Sequence, residues 1–278
     1  MLRRARSVPL LALLALSAGC NAQVVDAVRE PPPVEKPPDL PVPEAPPSPL
    51  ETSLIHRYSF DGSGTQALDS KGAAHGQVVG TKLDGTGNLP LAGERSGQYV
   101  NLPNGMVSGL TNATFEAWLT WQGGGAWQRI FDFGSSSQGE DAPAGGIRYF
   151  FLTTASSLDA GRGSPGTLRT AYSLNGVADE DICQGGEPFP TGVATHVAVV
   201  VDADHGRFSL YQNGALLDER PLTRPLSAID DENDWLGHSN FAADVDLQGS
   251  FDEFRVYAAA LTPEQLADSF AQGPDAGR

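Results

Sequence analysis

A two-residue periodicity is clearest in Thr114-Phe115-Glu116-Ala117-Trp118-Leu119-Thr120-Trp121. The odd-numbered positions are all apolar, and they share one face of an extended chain because successive side chains of a strand point to opposite sides. This face predicts a buried core. The even-numbered positions, which include Glu116 and Trp118, carry polar groups and one large ring. That combination is typical of a shallow, ligand-facing sheet surface.

Short apolar or alternating runs, separated by Gly, Asn, Asp and Ser, continue from residue 51 to residue 270. They predict one β-rich domain of the size of a single sandwich. The predicted strands are 55–60, 98–102, 113–121, 128–133, 147–153, 167–174, 195–202, 207–212, 215–219 and 250–257. Asn213-Gly214 predicts a hairpin, because both residues accept positive φ. One helix is predicted after Leu261, with Thr262 as its N-cap and Pro263 at its first position.

Residues 1–19 resemble the export signal of a bacterial lipoprotein. Three arginines precede a short apolar run, which ends in Leu16-Ser17-Ala18-Gly19-Cys20. The run is too short to span a bilayer as a helix. The resemblance implies lipidation of Cys20 and attachment to the cell envelope, and Asn21 favours the outer membrane because it is not acidic. An ordinary cleaved secretory peptide with an incidental cysteine is the alternative.

Ten of the nineteen residues from 31 to 49 are proline, and we interpret residues 20–50 as an extended, disordered tether ahead of the domain at 51–270. Residues 271–278 are predicted to be a short disordered tail. The formal net charge of −16 argues against nucleic acid as a partner, since a polyanion would be repelled. Cys183 is the second of two cysteines, so lipidation of Cys20 would leave it without a disulfide partner.

Six sequence landmarks occur in a fixed order along the domain. They are IHRYSFD at 55–61, QYVNL at 98–102, TFEAW at 114–118, THVA at 195–198, LYQNG at 210–214 and GSFDEFRVY at 249–257. The ordered set resembles the laminin G-like, concanavalin A-like domains of bacterial surface proteins. The resemblance implies an all-β fold, a two-sheet antiparallel jelly-roll sandwich, with the first and last strands paired side by side.

The implied pairing of the terminal strands would bring Asp61 close to Asp252. Relatives often hold a structural calcium near this seam, so Asp61, Asp69 and Asp252 are candidate ligands for Ca²⁺. Carboxylate and carbonyl oxygens are the ligands that calcium prefers. Turn-capping by the same aspartates is the alternative interpretation.

The sequence offers no catalytic residue set. The Glu-x-Asp-x-x-Glu arrangement of glucan-hydrolysing relatives is missing, as are serine hydrolase and phosphate-loop motifs. The acidic clusters at 179–181 and 230–234 lie in loop-like sequence and are interpreted as solvated loops. Glu253 and Arg255 are interpreted as an ion pair on an exposed sheet face. We therefore predict a protein that is not an enzyme.

The leading hypothesis is a lipid-anchored surface domain that binds a glycan or a cell-surface protein. Sugar rings stack on aromatic side chains, so Trp118, Trp127 and Trp235 are the candidate ligand contacts, together with Glu116 on the Trp118 face. A structural or assembly role in the envelope is the first alternative. A divergent glycoside hydrolase is the second, and it would depend on Glu116 or Glu253.

Overall fold

Antiparallel strand pairing builds the domain from two sheets that face each other. The computed structural model describes residues 48–157 and 166–276, and within these ranges it contains two α-helices and seventeen strands. The helices are α1 (Pro49–Ser53) and α2 (Pro263–Gln272). The strands are β1 (Leu54–Tyr58), β2 (Ser63–Gly64), β3 (Gln66–Ala67), β4 (Gly76–Val79), β5 (Leu83–Asp84), β6 (Leu89–Glu94), β7 (Tyr99–Leu102), β8 (Ala113–Trp121), β9 (Arg129–Ser136), β10 (Gly146–Thr153), β11 (Thr167–Ser173), β12 (Glu180–Pro188), β13 (Ala194–Asp202), β14 (Arg207–Gln212), β15 (Ala215–Pro221), β16 (Asn233–Leu236) and β17 (Asp246–Tyr257).

The strand order confirms the predicted two-sheet sandwich. One sheet has the order β1-β17-β8-β13-β14-β15, with β6 also paired to β17. The other has the order β12-β11-β10-β9-β16-β7-β4-β3, and β2 and β5 form a separate small ribbon. The first and last strands pair antiparallel, with Tyr58 opposite Phe254, as the resemblance implied. Cys20 and residues 1–47 lie outside the described residues.

The core lies between the two sheets and is rich in phenylalanine. Phe115 of β8 packs against Phe131 and Phe133 of β9 and against Phe150 of β10, with ring centroids 5.2–5.6 Å apart. Fully burying one such ring contributes about 1.5–3 kcal/mol. The predicted core face of β8 is confirmed, since all four of its apolar side chains are buried in this cluster.

The opposite face of β8 is covered by α2. Glu116 is fully buried, and its carboxylate accepts hydrogen bonds from the hydroxyls of Tyr257 (2.8 Å) and Ser269 (3.0 Å). His196 Nε2 lies 3.1 Å from the other oxygen of Glu116. The expectation that this face is open to solvent is wrong, because the helix supplies both the apolar cover and a hydrogen-bond partner. Alternation along a strand identifies a second face but not what packs on it.

The helix itself follows the predicted capping pattern. The Thr262 hydroxyl accepts from the Gln265 backbone N–H, and the Gln265 side chain accepts in return from the Thr262 N–H. Leu266 and Ser269 form its buried side. In residues 48–157 and 166–276, neither helix has the length and apolar content needed to cross a membrane.

A buried carboxylate fixes the segment that follows α2. Glu253 Oε1 accepts from Nε of Arg57 and from Nε of Arg255 (2.8 Å). Both guanidinium groups also donate to the carbonyl of Pro274, so they clamp the chain beyond the helix. The predicted ion pair between Glu253 and Arg255 is therefore present. Its face is buried rather than exposed, because the chain end lies over it.

The two acidic clusters are more ordered than the sequence indicated. Strand β12 begins at Glu180, and strand β16 contains Asp234, which is fully buried on the core side. Only one oxygen of Asp234 has a hydrogen-bond partner among the described residues, the backbone N–H of Met106. Burial, and next the charge of Asp231, raise the pKa of Asp234 well above its usual value. The interpretation as solvated loops is therefore wrong for 180–181 and 233–234, whereas Asp230 is exposed and lies outside the strands.

We expect Asp234→Asn to reduce the pH dependence of stability. A carboxyl whose pKa is higher in the folded chain than in the unfolded chain stabilises the fold below about pH 4, and this contribution is lost as the pH rises through the folded-state value. Relative to the variant, the wild type should therefore lose free energy of unfolding as the pH rises above about 4. Urea denaturation at several pH values measures the difference.

The control is Asp61→Asn, at an exposed position. Its stability should follow the wild-type curve. Parallel curves for the wild type and Asp234→Asn would contradict the assignment of a protonated Asp234.

Candidate functional site

The structure separates the predicted ligand contacts into two groups. Trp118 and Glu116 lie on the covered face of the seven-stranded sheet, where Trp118 is 6% exposed. Trp127 and Trp235 lie on the outer side of the eight-stranded sheet. Trp235 is fully buried, and its indole N–H donates to Asn101 (3.1 Å), whereas Trp127 is partly exposed at a pocket. Ligand contact by these residues stays a prediction, and Trp127 alone among them lines a cavity found in the described residues.

Part of a separate, smaller apolar cluster lines this pocket. Tyr149 and Phe151 of β10 and Ala171 of β11 are buried outside the main core, and Trp127 and Phe241 pack against them. The cavity has a volume of about 110 Å³. We call it the Trp127 pocket, and its lining residues are Trp127, Arg129, Phe151, Val177, Glu180, Phe241 and Asp244.

Arg129 is the central charged group of the Trp127 pocket. It is 2% exposed, and its guanidinium carbon lies 3.8 Å from the centroid of the Phe151 ring. All three of its nitrogens have partners: Nε donates to Asp132 (3.1 Å), Nη1 to the Trp127 carbonyl (3.3 Å) and Nη2 pairs with Asp244 (2.8 Å). A guanidinium fixed on every side is rigid, so Arg129 holds the pocket wall in place.

The backbone at Trp127 is strained. Its φ of 69° lies in the left-handed region, which a bulky side chain rarely adopts and which costs about 1–3 kcal/mol. Three hydrogen bonds hold it there: the Trp127 N–H donates to Ala155, the carbonyl accepts from Arg129, and the indole N–H donates to the Ser157 hydroxyl (3.0 Å). The surrounding contacts therefore force the ring to the mouth of the pocket.

Arg169 lies behind two walls of the Trp127 pocket. Strand register places it opposite Thr153, and Thr153 is in turn opposite Arg129, so the two arginines are two strands apart, about 10 Å. Arg169 is 2% exposed, and its guanidinium carbon lies 5.3 Å from the Trp127 ring centroid. Its Nη2 donates to Glu180. Among the described residues, its Nε and Nη1 have no hydrogen-bond partner.

Glu180 is shared between Arg169 and a tyrosine. The Tyr149 hydroxyl donates to Glu180 Oε1 (2.7 Å), while Arg169 binds Oε2. Burial, and next the negative charge of Glu180, raise the pKa of Tyr149. The hydroxyl therefore stays protonated and works as a donor.

Phe241 divides the Trp127 pocket from a neighbouring one. Its ring packs edge-on against Tyr149, with centroids 5.2 Å apart, and it needs Gly146 beneath it because a Cβ there would lie 2.5 Å from the ring. On the far side is a cavity of about 250 Å³ that also contains His238 and Arg95. We call it the His238 pocket. Its histidine is held by Asp246 (2.6 Å) and stacks on Tyr99.

A larger cleft, of about 540 Å³, lies on the outer side of the seven-stranded sheet beside α2. Along its side, Asp202 accepts a hydrogen bond from Arg207 and lies 2.9 Å from Nδ1 of His205. Tyr211 contributes the one aromatic carbocycle in its lining, and it is 4% exposed. The Trp127 pocket combines three aromatic rings with strained backbone, and the unpaired donors of Arg169 lie directly behind its lining residues. These features make it the stronger candidate site despite its smaller volume.

The predicted calcium ligands do not form a cluster. Among residues 48–157 and 166–276, no group of three or more His, Cys, Asp or Glu side chains is placed to hold a metal ion. Asp69 is 4% exposed, and its oxygens accept from the backbone N–H groups of Arg57, Lys71, Gly72 and Ala74, with His56 Nδ1 at 2.7 Å. These neighbours are donors, whereas calcium requires oxygen ligands, so the surroundings of Asp69 do not fit the ion. Calcium binding stays a prediction.

A family model described as the concanavalin A-like lectin/glucanases superfamily, Laminin_G_3, matches residues 93–267. The chain therefore belongs to this family, and the resemblance seen in the sequence is confirmed. No curated protein sequence matches the chain.

Solved structures with the same fold include modules that bind sugars. CBM40 of the IT-sialidase from Ruminococcus gnavus, bound to α2,3-sialyllactose, is 17% identical with a TM-score of 0.51, and the match covers 65% of this chain and 95% of that one. Domain 4 of AbnA, a GH43 extracellular arabinanase from Geobacillus stearothermophilus in complex with arabinotriose, is 23% identical with a TM-score of 0.53, covering 78% and 97%. Trypanosoma rangeli sialidase in complex with sialic acid is 14% identical with a TM-score of 0.58, covering 80% of this chain but 33% of that one. At these identities the likeness establishes the shared fold.

Sequence reasoning missed Arg129, Arg169 and Phe241. A signal was available for the two arginines, because each is the one basic residue inside a predicted strand, at 128–133 and at 167–174. Charged side chains in the middle of strands are buried only when they are paired. Phe241 lies in the loop between β16 and β17 and had no comparable signal.

We expect Asp69→Asn to lower the free energy of unfolding at neutral pH by about 1–3 kcal/mol, because an amide cannot accept from all the buried donors around it. Burial alone would raise the pKa of Asp69, but hydrogen bonds from the Gly72 backbone, the His56 side chain and the Arg57 and Lys71 backbones lower it. The carboxylate therefore contributes stability above the unfolded-state value, and that contribution is lost as the pH falls through the lower folded-state value.

Thermal melting with added Ca²⁺ or with EDTA separates this role from metal binding. The loss in Asp69→Asn should be the same under both conditions. A rise in melting temperature with Ca²⁺ in the wild type that is absent in the variant would instead support the calcium prediction.

Proposed function

We propose that this domain binds carbohydrate in the Trp127 pocket and acts as a non-catalytic recognition module. The observation that carries the proposal is the combination of three aromatic rings with charged hydrogen-bonding groups around one cavity. Sugars present apolar C–H faces and polar edges, so a site that binds them needs both kinds of surface. The oligosaccharides bound to the CBM40 and AbnA neighbours are consistent with this choice.

The two pockets beside Phe241 suggest the length of the ligand. The Trp127 pocket, about 110 Å³, accepts part of one sugar ring, and the His238 pocket, about 250 Å³, is on the other side of the same phenylalanine. Asp244 lines both pockets. An oligosaccharide that crosses Phe241 would fill both cavities, so we propose an oligosaccharide rather than a single sugar.

The arrangement of carboxylates supports a binding role over hydrolysis. A retaining glycosidase needs one carboxylate free to attack and a second free to transfer a proton. In the Trp127 pocket, Glu180 is bonded to Arg169 and Tyr149, and Asp244 is paired with Arg129. Glu116 and Glu253, the hydrolase candidates from the sequence, are buried beneath α2 and the chain end.

We expect Phe241→Ala to weaken oligosaccharide binding about tenfold or more, because the variant loses the buried apolar area of the ring together with the roughly 0.5–1.5 kcal/mol that aromatic stacking adds to it. A glycan array identifies a ligand, and isothermal titration calorimetry then measures its affinity for the variant. Gly146→Ala, which displaces the Phe241 ring without removing it, should also weaken binding.

The matched control is Phe270→Ala. Phe270 is 40% exposed on α2, on the other sheet, and the same substitution there should leave the affinity unchanged. Equal losses in both variants, or binding to envelope proteins that free sugars do not compete, would favour the structural or assembly role instead.

We also propose that the mature protein is anchored to the outer membrane through lipidated Cys20. The proposal rests on the lipoprotein-like signal in residues 1–20. Several acyl chains on one cysteine, each contributing about 0.8 kcal/mol per buried CH₂, give a lasting anchor.

Cys20→Ala should abolish incorporation of labelled palmitate and release the protein from the membrane fraction. Ser17→Leu is the control, because a branched aliphatic residue is usual at that place in a lipoprotein signal and should preserve labelling. Unchanged labelling of Cys20→Ala would contradict the anchor.

A further inference from the structure

Negative charges outnumber positive charges around the Trp127 pocket. Two arginines, Arg129 and Arg169, lie among three carboxylates, Asp132, Asp244 and Glu180. Each arginine has at least one ion-pair partner, and Arg129 has two. The local sum is negative, and the whole chain carries a formal net charge of −16. An incoming carboxylate in the Trp127 pocket would add a further negative charge where each arginine already has an ion-pair partner. Arg95, which donates to the backbone carbonyls of Ala242 and Ala243, lies in the neighbouring His238 pocket.

The two arginines also differ in how many of their nitrogens have hydrogen-bond partners. Arg129 has partners at all three nitrogens. Arg169 has a partner at Nη2 alone among the described residues, and its Nε and Nη1 are buried donors without an acceptor. Because Glu180 already matches its charge, what Arg169 lacks is acceptor atoms rather than a counter-ion. Buried donors without acceptors are costly, so a ligand that supplies acceptors gains this free energy.

Building on the proposed carbohydrate site, we infer that the Trp127 pocket selects neutral sugars over carboxylated ones. We infer further that the free N–H groups of Arg169, which lie behind the lining residues Trp127 and Glu180, obtain their acceptors from the oxygens of the neutral sugar. Hydroxyl and ring oxygens accept hydrogen bonds without bringing a charge. The guanidinium group also stacks behind Trp127, which fixes the position of both groups relative to each other. Arg169 is thus a specificity-determining residue of this site.

The test compares each acidic oligosaccharide with its own methyl ester, which keeps the sugar and removes the charge. The pairs are 3′-sialyllactose and its methyl ester, and trigalacturonic acid and its methyl ester, with arabinotriose and lactose as neutral probes. Calorimetry on the full chain should show binding of at least one neutral probe or ester, and each acid binding at least about tenfold more weakly than its ester. Salt should narrow this gap, because the Debye length falls from about 30 Å at 0.01 M to about 10 Å at 0.1 M.

Two variants that each remove one negative charge test whether the excess negative charge disfavours acidic sugars. Glu180→Gln keeps oxygen and nitrogen atoms in place for Tyr149 and Arg169 but removes one negative charge, so the affinity of an acid relative to its ester should rise several-fold. Asp244→Asn, nearer the surface with a side chain 12% exposed, should act in the same direction if Glu180→Gln fails to fold. Arg169→Gln should weaken binding of the neutral ligand, whereas Arg207→Gln, on the other sheet, should not.

The outcomes separate the inference from the proposed function. An acid that binds as tightly as its ester, or more tightly, overturns the neutral-sugar inference while carbohydrate binding stands. Binding of an ester that is insensitive to Arg169→Gln overturns the assigned role of Arg169. No binding of any probe, acid or neutral, by a correctly folded chain overturns the proposed function together with the inference.

Discussion

The candidate site depends on one buried carboxylate, Asp132 in β9. It accepts hydrogen bonds from Arg129, from the hydroxyl of Ser239, and from both the backbone and the side-chain amide of Asn240. Arg129 belongs to the sheet, whereas Ser239 and Asn240 belong to the loop that carries Phe241 and Asp244. A fully buried acceptor with four donors is costly to break, since each abandoned donor loses its partner away from water. Asp132 therefore holds the loop over the sheet, and the loop closes both pockets.

The polar side chains on the outer faces of the two sheets obtain their hydrogen-bond partners in different ways. Both faces carry polar and aromatic side chains on a surface that is largely removed from water. On the seven-stranded sheet, Glu116 receives its donors from Tyr257 and from Ser269 of the helix above, so the surface is finished by the chain itself. On the eight-stranded sheet, Arg169 keeps two unmatched donors beside a cavity. The second surface leaves hydrogen bonds for a ligand to complete.

The fold followed from the sequence because local signals and topology agreed. The alternation in β8, the Asn213-Gly214 hairpin and the Thr262 cap each depend on residues close together in the chain, and each is observed. The site could be predicted only in part. Trp127 and Trp118 are both large rings near strands, and nothing local distinguishes them. Their difference arises from distant residues: Arg255 of β17 lies over the Trp118 ring, and Ser269 of α2 donates to Glu116 on the same face, each from more than a hundred residues away. The acidic run at 230–234 was misread for a similar reason, since the burial of Asp234 depends on β7 and β9 at either side of it.

An unfavourable buried group does not by itself identify a binding site in this protein. Three such groups show why. Asp234 is a carboxyl buried with one oxygen unpaired, Trp127 has left-handed backbone, and Arg169 has two unpaired nitrogens. Asp234 faces the core between β7 and β9, does not line the Trp127 pocket or the His238 pocket, and can avoid a buried charge by taking up a proton. Arg169 has no such route, because a guanidinium does not lose its charge in proteins. Its remaining donors can be satisfied only by atoms that enter from outside, and the cavity lined by Trp127 and Glu180, both of which Arg169 contacts, is where such atoms would enter. A recognition site in this protein therefore requires two things: a buried group without its hydrogen-bond partners, and a cavity beside it through which a ligand can supply them.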